Sequence, residues 1–197
     1  MRASILLSVF LVHFPTLLFA WEDLGHRAIS EAVQANLEPA TVKAIATILG
    51  QGDELPIGTL ARLSVWPDQI RAFNKNANAV ISGFSPDDMK EARTFVTAHP
   101  KHAEWHYVDL PLGSSHYPDT SDSDPNDPML PFTRVHDIVH MIQRCIEILE
   151  VETASTTFTR LQALRWLLHL VEDLHQPLNV ASGYYSTAAF TGPAEAD

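Results

Sequence analysis

Residues 156–175 constrain this chain most. Phe158, Leu161, Leu164, Leu168 and Val171 recur at helical spacing, and Pro177 ends the run. A helix this apolar has to be covered by other elements. Yet His169 and Asp173 sit inside it, four residues apart and on one face. A carboxylate among leucines is costly to bury unless a cation or hydrogen-bond donors meet it. A His–Asp hydrogen bond would suffice, and so would a metal ion.

The rest of the chain is also patterned for helices. Residues 26–37 place His26, Ile29, Val33 and Leu37 on one face. Pro39 opens a second helix, with Val42, Ile45 and Leu49 inward and Gly50 as its stop. Residues 59–65 predict a short helix leading to Trp66-Pro67-Asp68, where Asp68 could cap the next one. Ser85 or Pro86 opens a helix over 86–97, and Val135, Ile138, Ile142 and Leu149 predict one over 131–150. No segment sustains period-2 alternation, and no internal repeat is present. The expectation is an all-α fold: one mainly helical domain over 21–180, then a short flexible tail over 181–197. Residues 111–130, rich in Pro, Ser and Asp, read as a surface loop. Asp122-x-Asp124-x-Asn126 lies within it but lacks the glycine and closing Glu of a calcium loop, so it reads as solvated acid.

The first twenty residues have secretory character. Arg2 precedes an apolar run, Ile5 to Val12, and Leu18-Phe19-Ala20 ends in a small residue. The run is too short for a spanning helix, which needs about 20 residues. Cleavage after Ala20 would yield a secreted or periplasmic chain with no stable membrane association. It would also free an α-amino group on Trp21, five residues before His26 in Trp-Glu-Asp-Leu-Gly-His. Such an amine can ligate a metal. Cleavage removes Arg2 and no acid, moving the net charge from −11 to −12. A field of that sign does not attract a phosphate backbone, so activity on nucleic acid needs a local cationic site such as a bound metal. Cys145 is the one cysteine, so no internal disulfide can form. There is no Asn-x-Ser/Thr site either, and both facts fit a bacterial-type export route.

Two further places could ligate a metal. His106 stands in Trp105-His106-Tyr107, and Asp68 follows Trp66-Pro67. Taken singly, each has an ordinary structural use. Together with His169, Asp173 and the Trp21/His26 pair, they form a nitrogen and oxygen donor set suited to zinc.

The ordered motifs Gly25-His26-Arg27, Trp66-Pro67-Asp68-Gln69-Ile70-Arg71, Trp105-His106-Tyr107-Val108-Asp109 and His169-x-x-x-Asp173-x-His175-Gln176-Pro177-Leu178, behind a Trp at the cleavage site, are specific as a set. In them the chain resembles the zinc-dependent S1/P1 nuclease family, within the phospholipase C/P1 nuclease superfamily, from Trp21 to about Val180. The resemblance implies a mainly helical fold around a cluster of three zinc ions. It implies that Asp68, His106, His169 and Asp173 hold one zinc. Trp21, through amine and carbonyl, and His26 hold a second, with Asp173 bridging the two. Arg71 matches an arginine that steadies the phosphate, Tyr107 an aromatic that stacks on a base, and Asp109 a residue that bonds the base edge. The implied reaction is zinc-dependent hydrolysis of single-stranded DNA or RNA to 5′-nucleotides, with 3′-nucleotidase activity. Asp68 would also orient the attacking water.

The chain departs from the family at Asn179, where the motif has a zinc-binding His after Gln-Pro-Leu. No His-x-x-x-Asp follows Val180. The expectation is therefore two zinc sites, a domain lacking its C-terminal portion, and reduced turnover. His136 and His140 could be a substitute metal pair but flank the apolar stripe, which favours a solvent-facing polar stripe. His175 reads as a structural hydrogen bonder at the helix end. The alternatives are a phospholipase C-like zinc phosphoesterase and a non-catalytic zinc-binding remnant.

Overall fold

The apolar run forms α8, Arg160–Leu174, and the other elements gather around it. The computed structural model describes residues 22–114, 116–118, 127, 129–151 and 158–183. Residues 1–20, read above as a leader, Trp21, the acidic motif at 122–126 and residues 184–197 lie outside these. Thr159 caps α8: its hydroxyl accepts the Gln162 N–H, and the Gln162 side chain accepts the Thr159 N–H. Pro177 begins a 3-10 turn, Pro177–Asn179, after the helix has ended.

The fold is mainly helical. Ahead of α8 come α1 (Asp23–Ala35), α2 (Pro39–Ile48), α3 (Thr59–Ser64), α4 (Trp66–Ile70), α5 (Ala72–Lys75), α6 (Pro86–Ala98) and α7 (Ile138–Glu150). α8 packs against α7, α3, α4 and α1. Trp66, Phe95, Trp105, Phe158 and Trp166 form the aromatic centre of the main core, while Ile45, Leu60, Leu63 and Leu164 form a second cluster. Among the described residues, no helix is long and apolar enough to cross a membrane.

Several local expectations are corrected. α1 buries His26 and Ser30, leaving Val33 41% exposed, because the inward seam of that helix is polar. Asp68 lies inside the first turn of α4 and makes no cap bond. The helix expected over 131–150 begins only at Ile138, after a 3-10 turn at Leu130–Phe132. Asp137 is its cap, accepting the Val139 and His140 N–H groups, so Val135 stays outside and exposed. A two-residue parallel bridge pairs β1 (Leu110–Pro111) with β2 (Ala181–Ser182). Two residues are too few to produce an alternating pattern.

Candidate metal centre

Four elements converge on one point. α8 contributes His169 and Asp173, α1 contributes His26 and α4 contributes Asp68. His106 ends the 3-10 turn His102–His106. His26, His106, His169 and Asp173 are buried, and Asp68 stands at the open edge with its side chain 24% exposed.

The ligand atoms face one another. His106 Nδ1 lies 2.9 Å from Asp173 Oδ2 and 2.9 Å from His169 Nε2, and His169 Nε2 lies 3.0 Å from Asp173 Oδ2. Asp68 Oδ1 is 3.8 Å from His106 Nδ1 and 3.9 Å from His169 Nε2. Four ligands around a tetrahedral zinc, with bonds of about 2.0–2.1 Å, stand roughly 3.3 Å apart. These separations straddle that value. A second grouping, His26, Asp68 and His169, has ligand atoms within 4.8 Å of one another.

Outer contacts fix which nitrogens point inward. His169 Nδ1–H donates to the Ser64 carbonyl at 2.7 Å, so its Nε2 lone pair faces the Asp173 carboxylate. Two acceptors at 3.0 Å call for a proton or a metal between them. His26 Nδ1–H donates to Glu172 Oε2 at 2.5 Å, and Ser30 Oγ donates to Glu172 Oε1 at 2.6 Å. That leaves His26 Nε2 aimed at Asp173 Oδ1, 3.6 Å away, buried and without a hydrogen-bond partner among the described residues. The donor set therefore fits a small divalent cation, with Asp173 offering one oxygen to each side. His106 Nε2 is likewise buried with no such partner.

Where a proton rather than a metal fills that gap, burial pushes the Asp173 carboxyl upward, but the hydrogen bonds then donated by His106 and His169 outweigh it and hold it well below the usual carboxylate range. Burial disfavours charge on both imidazoles. It wins at His106, whose pKa is lowered. It loses at His169, where the Asp173 hydrogen bond and the Asp173 and Asp68 charges raise the pKa.

Around the cluster, Arg71 is half exposed and pairs with Asp68 Oδ1 at 3.1 Å. Tyr107 and Asp109 follow His106 directly. The Tyr107 carbonyl accepts the Ile138 N–H, and Arg134 sits 5.9 Å from its ring centroid. Asp109 Oδ1 accepts the Ser182 hydroxyl at 2.9 Å. Asn179 donates from Nδ2 to Asp173 Oδ1 at 3.0 Å. His175 donates to the Val171 carbonyl. His136 and His140 do not form a solvent-facing stripe. His136 precedes α7 and is exposed, whereas His140 is held by Asp137 at 3.1 Å and the Tyr117 hydroxyl at 2.8 Å.

Sequence reasoning missed Glu172, Ser30 and Ser64. An acid beside Asp173 on an apolar helix was the available signal for Glu172. Nothing marks a backbone carbonyl such as that of Ser64. In comparisons with known proteins, a family model described as S1/P1 Nuclease matches residues 21–184. No curated protein and no solved structure matches.

Proposed function

Because the chain belongs to the S1/P1 nuclease family, and so to the hydrolases that act on nucleic acid, we propose that it is an exported, zinc-dependent enzyme. It cleaves single-stranded DNA or RNA to 5′-nucleotides and removes the 3′-phosphate of mononucleotides. The observation that carries this is the meeting of the His169 Nε2 lone pair and the Asp173 carboxylate at 3.0 Å, deep in the protein.

Asp68, His106, His169 and Asp173 would hold one zinc, and Trp21, His26 and Asp173 the second. Bound zinc supplies Lewis acidity, drawing the pKa of a coordinated water toward neutrality. The residues themselves do the positioning. Asp68, at the open edge, orients the attacking water by accepting its hydrogen bond. Arg71, already steered by Asp68, donates to a non-bridging phosphoryl oxygen as negative charge grows there. Tyr107 offers a ring face for an unpaired base, which a duplex would keep stacked. Asp109 accepts from the base edge, exchanging its bond to Ser182. Water adds to phosphorus, the bond to the 3′-oxygen breaks and that oxygen leaves as a hydroxyl. The phosphate stays on the 5′ side.

Zinc content and hydrolysis of single-stranded DNA, RNA and phosphatidylcholine by protein beginning at Trp21 test the proposal. Cleavage of the single strands, lost with a chelator and restored by zinc, is expected. Cleavage of phosphatidylcholine alone, or zinc binding without any cleavage, would overturn it.

A further inference from the structure

A cavity of about 390 Å³ is walled by Arg27, Arg62, Arg165, Trp66, Gln69 and Phe84. Three guanidinium groups share this wall, in a chain of net charge −11. Arg165 and Trp66 are only 8% and 3% exposed, and the Arg165 guanidinium lies 4.8 Å over the Trp66 ring. Arg165 Nε and Trp66 Nε1 are both buried with no hydrogen-bond partner among the described residues. Buried donors are normally paired, so two unmatched ones in one place are unusual.

The acids nearby do not match these cations fully. Glu91 Oε2 accepts from Arg165 Nη1 at 2.9 Å. Asp23 lies 3.9 Å from Arg27 and also accepts from Gln69. The Asp88 carboxylate on this wall accepts the backbone N–H and hydroxyl of Ser85. Arg62 donates to Thr59 Oγ1 at 3.1 Å and has no carboxylate partner among the described residues. Three guanidinium groups, each a permanent fork of positive charge, beside the Trp66 ring suit a phosphate group. The cavity also shares its elements with the metal centre: Arg27 follows His26 on α1, and Gln69 follows Asp68 on α4.

We propose that this arginine-walled cavity seats a flanking phosphodiester of the single strand whose neighbouring bond is cleaved at the metal centre. The proposal rests on the nuclease reading. It makes the enzyme favour strands over dinucleotides, because only a strand can fill both places.

The test compares the wild-type chain with Arg62→Ala, at an exposed position where folding is not at stake, and with Lys43→Ala as an equal charge change elsewhere. Two quantities are read: the ratio of kcat/KM for a single-stranded oligonucleotide to that for a dinucleotide, and the salt dependence of oligonucleotide binding with metal chelated. Arg62→Ala should lower the ratio at least about tenfold. It should make the slope of log K against log salt shallower by about 0.7, the value for one lost single-strand phosphate contact. Lys43→Ala should change neither. An unaltered ratio and slope in Arg62→Ala, or equal changes in both variants, overturns the proposal. If the wild-type chain cleaves no single strand, the nuclease reading falls and takes this one with it. Cleavage with Arg62→Ala indistinguishable from wild type removes only this one.

Discussion

Glu172 serves His26 as the Ser64 carbonyl serves His169: each holds one ring nitrogen so that the other points inward. Glu172→Gln keeps the shape and removes the charge. Loss of such a support typically lowers metal affinity about 10–100-fold. Zinc competition against a chelator should show a fall of that order, and an unchanged affinity would mean that His26 is not a ligand. Asp173→Ala should be more severe, since both of its oxygens face imidazoles, and zinc per chain should fall from near two toward zero. Asp109→Ala should leave zinc in place and change base preference. Equal zinc in these two variants would refute the bridging assignment. At this scale the sequence marks candidates by residue type and order alone. His26 and Glu172 are 146 positions apart, and no local pattern connects them.

Helices were legible where spacing and a cap agree. Ser85 or Pro86 announces α6, and the structure makes Ser85 the cap, closing both bonds of a capping box with Asp88. A hydrogen bond from Ser85 also lowers the Asp88 pKa. Ser85→Ala should destabilise the protein by about 1 kcal/mol; a denaturant midpoint unchanged from wild type would show the cap to be idle. Legibility failed at Val135, where periodicity ran on past a boundary set by Asp137. It also failed at Val33, which matches the spacing of α1 but stays exposed because Ser30 and His26 own the buried seam. Hydrophobic spacing reports which residues could face a core. It does not report that a helix turns polar groups inward to reach a carboxylate on another helix.

For the molecule as a whole, acid should act through His102 as well as through the candidate metal ligands. His102 is fully buried, and burial drives its pKa from 6.5 to about 4, aided by the nearby charges of His106 and Arg71. The fold prefers the neutral ring, while an unfolded chain takes up the proton from about pH 6.5 downward. Stability is therefore complete above about 6.5 and is lost as pH falls toward 4, by up to about 1.4 kcal/mol per pH unit. His102→Gln should flatten the fall of Tm across that window relative to wild type; parallel curves would refute it. The starting residue of the chain is a second global variable. Protein retaining a Met before Trp21 should carry less zinc than protein beginning at Trp21, by metal analysis, because only a free amine can ligate. Asn179 has a wider consequence. Its carbonyl accepts the Val108 N–H, between Tyr107 and Asp109, while its side-chain amide grips Asp173. One residue thus joins the segment that would cradle a base to the carboxylate that would be shared by two cations. Linkage makes such a joint reciprocal: whatever factor zinc adds to nucleotide affinity, a bound nucleotide must add to zinc affinity. An enzyme of this build would hold its metal most tightly when it is at work, and would be most open to being stripped by a competing chelator when it is starved of substrate.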